Sequence, residues 1–184
     1  MLIPKETDKD SNEAKLFIIS GPSGVGKGTI VRRLLKTLDN IVLSVSMTTR
    51  KKRRKEIDGK DYIFISKEEF KNNIEKCNLL EYEKHFDNYY GTPKNFVFEN
   101  LKNGKNVILE IETNGAKKIK KNFPKAVSVF IAPPSIEELK NRIRKRDSET
   151  ESELKKRILK AREELREQEF FDYCIINDDL NSTF

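Results

Sequence analysis

The sequence predicts an α/β fold, a parallel sheet flanked by helices, and three observations support this class. Short apolar runs alternate along the chain with longer stretches of helical periodicity. The first apolar run, residues 17–19, leads directly into a glycine-rich turn, residues 21–27. A chain of 184 residues is long enough to bury the core that such a sheet needs. We therefore expect one domain, residues 15–184, after a flexible polar leader, residues 1–14.

Apolar runs predict the strands of the sheet in chain order. Their side chains are apolar at consecutive positions, as expected where helices cover both faces of parallel strands. The runs are residues 17–19, 41–45, 107–111, 127–131 and 173–176. Before the last of them, apolar residues recur every three or four positions from Leu154 to Leu165, which predicts an amphipathic helix over residues 152–169. A helix start is also expected at Thr92, because Pro93 follows it.

The segment between the second and third strands has a different pattern. Polar and apolar residues alternate and turn residues separate the runs, which is typical of antiparallel strands. These runs are residues 62–65, 79–82 and 86–90. We expect residues 46–92 to form a small mixed or antiparallel lobe beside a core made of residues 15–45 and 93–184.

The glycine-rich turn is suited to binding phosphate. Its glycines allow backbone angles that point successive NH groups at an anion, and Lys27 adds a positive charge at the start of the next helix. A strand before the turn and a helical pattern after it favour a phosphate-binding loop over a merely tight turn. The expected ATP-binding residues in this segment are Gly21, Pro22, Ser23, Gly24, Val25, Gly26, Lys27, Gly28 and Thr29.

Composition limits the classes of partner. Charged residues make up 36% of the chain and the net charge is +7, which suits an enzyme with phosphate-bearing substrates as well as a nucleic-acid-binding protein. The leader is polar and no apolar stretch is long enough to span a bilayer, so we expect a cytoplasmic protein with no membrane partner. Cys77 and Cys174 lack the spacing of a metal or redox site, which fits a reducing compartment.

Further motifs narrow the choice among proteins with phosphate-binding loops. They are residues 44–53, 58–62, 81–82 and 88–92. In their order along residues 17–179, and together with the glycine turn, they resemble the nucleoside-monophosphate site of guanylate kinases. The resemblance implies a P-loop NTPase core, a GMP-binding lobe and a helical lid. It also implies Mg²⁺-dependent, direct in-line phosphoryl transfer from ATP to GMP, a step of purine nucleotide metabolism and GMP recycling.

The residues at these positions fit the chemistry of GMP. A dianionic phosphate favours bidentate and hydroxyl donors. The resemblance places such a phosphate clamp at Arg50, Arg53, Tyr62 and Tyr90. The guanine edge presents two adjacent donors, which the carboxylate of Glu81 can accept together, while Ser46 and Thr92 address the carbonyl side. Adenine lacks that donor pair, so we expect AMP to be rejected.

Two acidic residues lie at the end of the third strand of the predicted parallel sheet. Glu110 and Glu112 match the acidic pair of the family, and three roles stay open for them: holding Mg²⁺ through water, orienting the arginines or contacting GMP. The family more usually has aspartate at position 112 and glutamine at position 114. Phosphate-binding loops in general usually offer a serine or threonine hydroxyl to the metal after the lysine, where this chain has Gly28. Magnesium binding is therefore expected to depend on phosphates, water and these acids.

The lid that the resemblance implies spans residues 142–157. Arginines on a closing segment would add positive charge around the transferring phosphoryl group and exclude water. The expected catalytic residues are Lys27, Arg142, Arg146 and Arg157. Asp147 stands where the family commonly has glycine, and Asn177 is expected near the adenine of ATP.

Other functions remain open at this stage. One is a non-catalytic guanylate-kinase-like domain that binds phosphopeptides, which the intact glycine turn and lid arginines disfavour. Another is a kinase with a different monophosphate acceptor, which Glu81 disfavours. Nucleic-acid binding ranks last because no basic module interleaved with aromatic residues is present. The use of dGMP and the choice between monomer and homo-oligomer are left open.

Overall fold

The computed structural model describes residues 13–85, 87–144 and 151–178. The strands in this part of the chain are β1 (Leu16–Ser20), β2 (Ile41–Ser44), β3 (Met47–Thr48), β4 (Ile63–Phe64), β5 (Leu79–His85), β6 (Asn88–Pro93), β7 (Asn106–Glu110), β8 (Val127–Ala132) and β9 (Tyr173–Ile176). The helices are α1 (Lys27–Thr37), α2 (Lys67–Glu75), α3 (Lys94–Lys102), α4 (Thr113–Asn122), α5 (Ile136–Arg144) and α6 (Glu151–Arg166). A 3-10 turn, Gln168–Phe170, leads into β9.

The main sheet is parallel and has the strand order β2-β7-β1-β8-β9. Consecutive side chains of its strands enter different clusters of the core: Ile18 belongs to one cluster and Ile19 to the other. Leu109 and Ile108 divide in the same way. Strands β1, β7 and β8 are thus buried on both faces, which explains their uninterrupted apolar runs. The last strand, β9, lies at the edge of the sheet and its side chains are exposed, so the expectation that residues 173–176 are buried is wrong. The predicted α/β class with a parallel sheet is confirmed.

A second sheet, with the order β4-β3-β6-β5, is mixed. Strands β3 and β4 are parallel, and the other two pairs are antiparallel. The helix expected to start at Thr92 is present one residue later: Thr92 lies within β6, opposite Glu81, while Pro93 is the N-cap and α3 begins at Lys94. Pairing with β5 therefore keeps Thr92 in the strand and moves the cap of the helix to Pro93.

The fold brings the ends of several strands to one side. The glycine turn follows β1, Glu110 is the last residue of β7, and Asn177 follows β9. Because parallel strands share a direction, the residues after them collect at one edge of the sheet, where α/β proteins place their ligands. Among the helices of the described ranges, none combines the length and the apolar character needed to cross a membrane.

Candidate active site

A cavity of about 380 Å³ lies between the glycine turn, the small sheet and α6. The turn and the start of α1 contribute Ser23, Gly24, Gly26, Lys27 and Gly28. The small sheet and its connections contribute Ser46, Arg50, Arg53, Tyr62, Glu81 and Tyr90. Glu110, Glu112 and Arg157 also line it. The cavity thus joins predicted ATP-site and GMP-site residues that lie far apart in the sequence.

The conformation of the glycine turn depends on residues that lack a side chain. Gly21 has φ 139°, and a Cβ added there would lie 2.2 Å from the carbonyl oxygen of Ile131 on β8. Gly26 has φ 106° and caps the start of α1. Lys27 curls its ammonium back to donate to the carbonyl oxygens of Gly21 and, at 3.2 Å, of Pro22. The turn is therefore held closely against β8, with the Lys27 charge beside it.

Asn177 supports the glycine turn from the buried side. Its Nδ2 donates to the Val25 carbonyl oxygen at 2.7 Å, and a Cβ on Gly26 would lie 2.5 Å from that nitrogen. Asn177 is 3% exposed and is not among the lining residues of the cavity. Its contact with the adenine of ATP stays a prediction, and the structure assigns it a role in supporting the loop.

Arg50 is held in place by several partners. Its Nη1 and Nη2 donate to the two carboxylate oxygens of Glu56 at 3.0 and 2.8 Å, and Nη1 also donates to the Lys51 carbonyl oxygen at 2.8 Å. The guanidinium carbon lies 5.3 Å from the ring centre of Tyr62 and 5.7 Å from that of Phe64. A bidentate ion pair and stacking on aromatic rings together orient a planar cation.

Tyr62 and Tyr90 stand edge to face beside Arg50, with ring centres 5.9 Å apart. Burial, and then the charge of Glu110, raises the pKa of Tyr62 to about 12. The Tyr62 hydroxyl therefore keeps its proton at neutral pH and can donate a hydrogen bond to an anion.

Glu81 is a buried carboxyl group, 8% exposed. The Thr92 hydroxyl donates to its Oε1 at 2.7 Å, while a Cβ added to Gly115 of α4 would lie 2.8 Å from its Oε2. Burial is the main reason that the pKa of Glu81 is raised to about 7, against the hydrogen bond from Thr92. A desolvated acceptor of this kind strongly favours a ligand that brings its own donors.

Thr92 does not lie where a residue in direct contact with the guanine carbonyl would have to lie. It is fully buried and is not one of the lining residues of the cavity. Its hydroxyl is directed to Glu81. Thr92 thus acts on the predicted guanine site through the carboxyl group, and its direct contact with a carbonyl of guanine stays a prediction.

The two acids at the end of β7 lie in different surroundings, Glu110 beside the start of α1 and Glu112 beside α6. Both carboxylate oxygens of Glu110 are 3.6 Å from the position that a Cβ on Gly28 would occupy. Glu112 forms an ion pair with Lys160 of α6. Glu110 therefore faces Gly28, the position at which phosphate-binding loops generally have a hydroxyl, whereas Glu112 connects α4 to α6.

One face of α6 turns three polar residues towards the cavity, and sequence reasoning found only the first. Arg157, Lys160 and Glu164 are three and four positions apart, so they lie on one side of the helix. Burial, and then the charge of Glu112, raises the pKa of Glu164 to about 7. The spacing of these residues by three and four positions could have shown that they share one face of the helix. The sequence of a single helix does not, however, show which part of the protein that face packs against.

Other predicted residues lie away from the cavity lining. Arg142 donates to the carbonyl oxygens of Asn177 and Asp178 at 2.9 and 3.0 Å and pairs with Glu138. It thereby anchors the segment after β9, and its contact with a phosphate stays a prediction. Gly21, Pro22, Val25 and Thr29 shape the turn without being among the lining residues. Arg146 and Asp147 lie outside the described residues.

The cavity also includes residues to which the sequence analysis assigned no role. Besides Lys160 and Glu164 they are Glu83, Asn88, Gly91, Ile111 and Gly115. The alternation of β5 could have suggested Glu83, since it is two residues from Glu81 on the same face. Gly115 could not have been recognised, because its contact with Glu81 depends on how α4 packs on the small sheet.

Comparisons with known proteins agree with this geometry. A family model described as guanylate kinase matches residues 13–184. The guanylate kinase of Caldanaerobacter subterraneus subsp. tengcongensis is 52% identical over 166 residues, which is 90% of this chain and 81% of that protein. The guanylate kinase of Clostridioides difficile is 53% identical over 168 residues, 91% of this chain and 82% of that protein. The crystal structure of guanylate kinase from Anaplasma phagocytophilum matches with a TM-score of 0.77 and 34% identity, covering 94% of this chain and 81% of that one.

Proposed function

This chain belongs to the guanylate kinase family and is an ATP-dependent GMP kinase, and we propose that the two nucleotides occupy opposite sides of the described cavity. GMP lies against the small sheet and ATP lies on the glycine turn. The observation that carries this arrangement is that Lys27 and Glu81 line one cavity. One is a cation suited to a triphosphate, and the other is an acceptor suited to the guanine edge.

We assign residues 46–92 to GMP binding. Arg50 and Arg53 hold the phosphate with the hydroxyls of Tyr62 and Tyr90, since a dianion needs several convergent donors. Glu81 accepts the ring NH and the amine of guanine, and Thr92 fixes the carboxylate that does so. A ligand without these donors leaves a buried carboxylate unpaired, which is the physical basis for rejecting AMP.

The donor side supplies charge and alignment. The NH groups of the glycine turn and the start of α1 cradle the ATP phosphates, and Lys27 moves from its backbone partners to the phosphates when ATP binds. Arg157 adds positive charge from α6, within a lid that we assign to residues 142–157. In-line transfer of the phosphoryl group needs this alignment and neutralisation and no covalent intermediate on the protein.

The residues around Gly28 fit a magnesium ion bound with ATP. Glu110 supplies hard carboxylate oxygens next to the first turn of α1, and no group of three or more metal-ligating side chains occurs among the described residues. A site with one or two carboxylates, completed by water and phosphates, is the usual arrangement for this ion. Bound there, Mg²⁺ would neutralise charge on the ATP phosphates, with Glu110 and Glu112 as the candidate protein ligands.

The cytoplasm is our proposed compartment for this reaction. Cys77 and Cys174 are exposed free thiols, which is typical of proteins in a reducing environment. The basic net charge suits two phosphate-bearing substrates and needs no nucleic-acid partner.

A coupled assay of ADP release tests the proposal. The protein is supplied with Mg-ATP and, in separate reactions, with GMP, AMP, CMP or UMP. We expect turnover with GMP and at least a hundredfold lower kcat/KM with AMP, on the scale seen when a polar pocket loses its donors. Equal use of AMP and GMP would refute the assignment of Glu81. No release with any of the four would refute the phosphotransferase activity.

A further inference from the structure

We propose that Glu83 binds the ribose of the acceptor nucleotide and makes the enzyme prefer a ribonucleotide to a deoxyribonucleotide. This inference rests on the proposed placement of GMP against the small sheet. Glu83 lines the cavity but has no role in the phosphoryl transfer described above.

The position of Glu83 on β5 places it between the two ends of the proposed GMP site. Successive side chains of a strand alternate between faces, so Glu81 and Glu83 face the same way, about 6.8 Å apart along the strand. Both line the cavity. Across the sheet, Glu83 is paired in register with Tyr90 of β6. A nucleotide with its base on Glu81 and its phosphate at Tyr90 therefore has its sugar beside Glu83.

The electrostatic interaction between Glu83 and Glu81 also indicates that the two carboxyl groups lie close together. The pKa of Glu81 is raised mainly by burial, and the charge of Glu83 acts in the same direction, while Lys118 lowers it. The two carboxyl groups thus share one local environment, although they are placed to meet different parts of a ligand.

Lys118 of α4 holds the Glu83 carboxylate. Its Nζ lies 2.6 Å from Oε1 of Glu83 and donates to the carbonyl oxygen of Tyr82 at 2.9 Å. This ion pair offsets a negative charge that would otherwise repel the phosphate of GMP, and it orients the carboxylate. The Glu83 side chain remains 23% exposed. Because a carboxylate has about four acceptor positions, its bond to Lys118 leaves capacity for a hydroxyl donor.

Ribose hydroxyls are suitable donors for such a group. In dinucleotide-binding folds, an acidic residue holds the ribose of the cofactor by the same type of hydrogen bond. A sugar that lacks the hydroxyl gains nothing from Glu83. The carboxylate therefore raises the specificity for the ribonucleotide without taking part in phosphoryl transfer.

The test compares GMP with its 2′-deoxy and 3′-deoxy analogues in the ADP-release assay, using the full chain and the variants Glu83→Ala and Glu83→Gln. We expect the ratio of kcat/KM for GMP to that for at least one analogue to fall about tenfold or more in Glu83→Ala, the scale of one hydrogen bond to a charged group. It falls at least about twofold in Glu83→Gln, which keeps a weaker, neutral acceptor.

A matched control is Glu167→Gln. Glu167 pairs with Lys117, which is also on α4, but it is not one of the lining residues of the cavity. Both ratios should stay unchanged in this variant. If Glu83→Ala does not fold, Glu83→Gln alone decides.

Two failures can be told apart. Unchanged ratios in the Glu83 variants, with activity on GMP and its analogues lost equally or not at all, would overturn the ribose contact and leave Glu83 as a structural partner of Lys118. A wild-type chain that does not phosphorylate GMP would instead overturn the proposed function.

Discussion

Replacing the buried carboxyl of Glu81 by an amide should make the protein more stable and a poorer GMP kinase. The pKa of Glu81 is about 7 in the folded protein, against 4.5 for an ordinary glutamate, mainly because burial penalises the charged form. Between these pH values the folded state binds the proton more tightly than the unfolded chain. Stability contributed by the neutral carboxyl is therefore lost as the pH rises from 4.5 to 7.

The size of this change in stability follows from the difference between the pKa of Glu81 in the folded protein and that of an ordinary glutamate. At pH 8 this pKa difference lowers the free energy of unfolding by roughly 3 kcal/mol. This is an upper value, because the site can relax or admit water. Glutamine keeps the acceptor for the Thr92 hydroxyl and has no charge to desolvate. We therefore expect Glu81→Gln to be more stable than wild type by about 1–3 kcal/mol at pH 8, with the difference becoming small near pH 4.5.

Urea unfolding at several pH values from 4.5 to 8 measures this directly. Glu164 also has a pKa of about 7, so the wild-type curve contains both groups, and the difference between wild type and Glu81→Gln isolates Glu81. In the ADP-release assay, the same variant should show a higher KM for GMP and a smaller preference for GMP over AMP. A stability difference that does not change with pH would refute the buried, desolvated carboxyl on which the guanine site is based.

Three further substitutions test the rest of the cavity. Lys27→Ala should lower kcat by about a hundredfold or more while calorimetry still detects GMP binding, and unchanged turnover would remove the glycine turn from the mechanism. Arg50→Lys loses the bidentate contact with Glu56 and the stacking on Tyr62, so KM for GMP should rise about tenfold with little change in KM for ATP. Equal KM values for GMP would contradict the phosphate clamp. Gly115→Ala should displace the Glu81 carboxylate and raise KM for GMP about threefold or more, with thermal stability kept because alanine favours a helix. An unaltered KM would show that the carboxylate relaxes freely.

The sequence by itself determined the features that depend on local chemistry. The glycine turn was recognisable because its backbone angles require glycine at fixed spacing between a strand and a helix. The central strands β1, β7 and β8 were recognisable because burial on both faces demands consecutive apolar residues. The order of the motifs was sufficient to identify the family, which the comparisons confirm.

Only the tertiary structure decided which side chains meet. Thr92 favours a helix start locally, yet strand pairing places it against Glu81, eleven positions away. Arg142 lies in the expected lid, but its guanidinium holds the segment after β9.

Tertiary packing also decided which residues of α6 and α4 reach the site. Helical periodicity defined one apolar face of α6, whereas the packing of α6 over the cavity decided that Lys160 and Glu164 would line it. The close approach of Gly115 to Glu81, and the burial that raises the pKa of Glu81, likewise arise from packing between distant segments. Local sequence determines the conformation of a segment, but contact and desolvation depend on what the folded chain places against it.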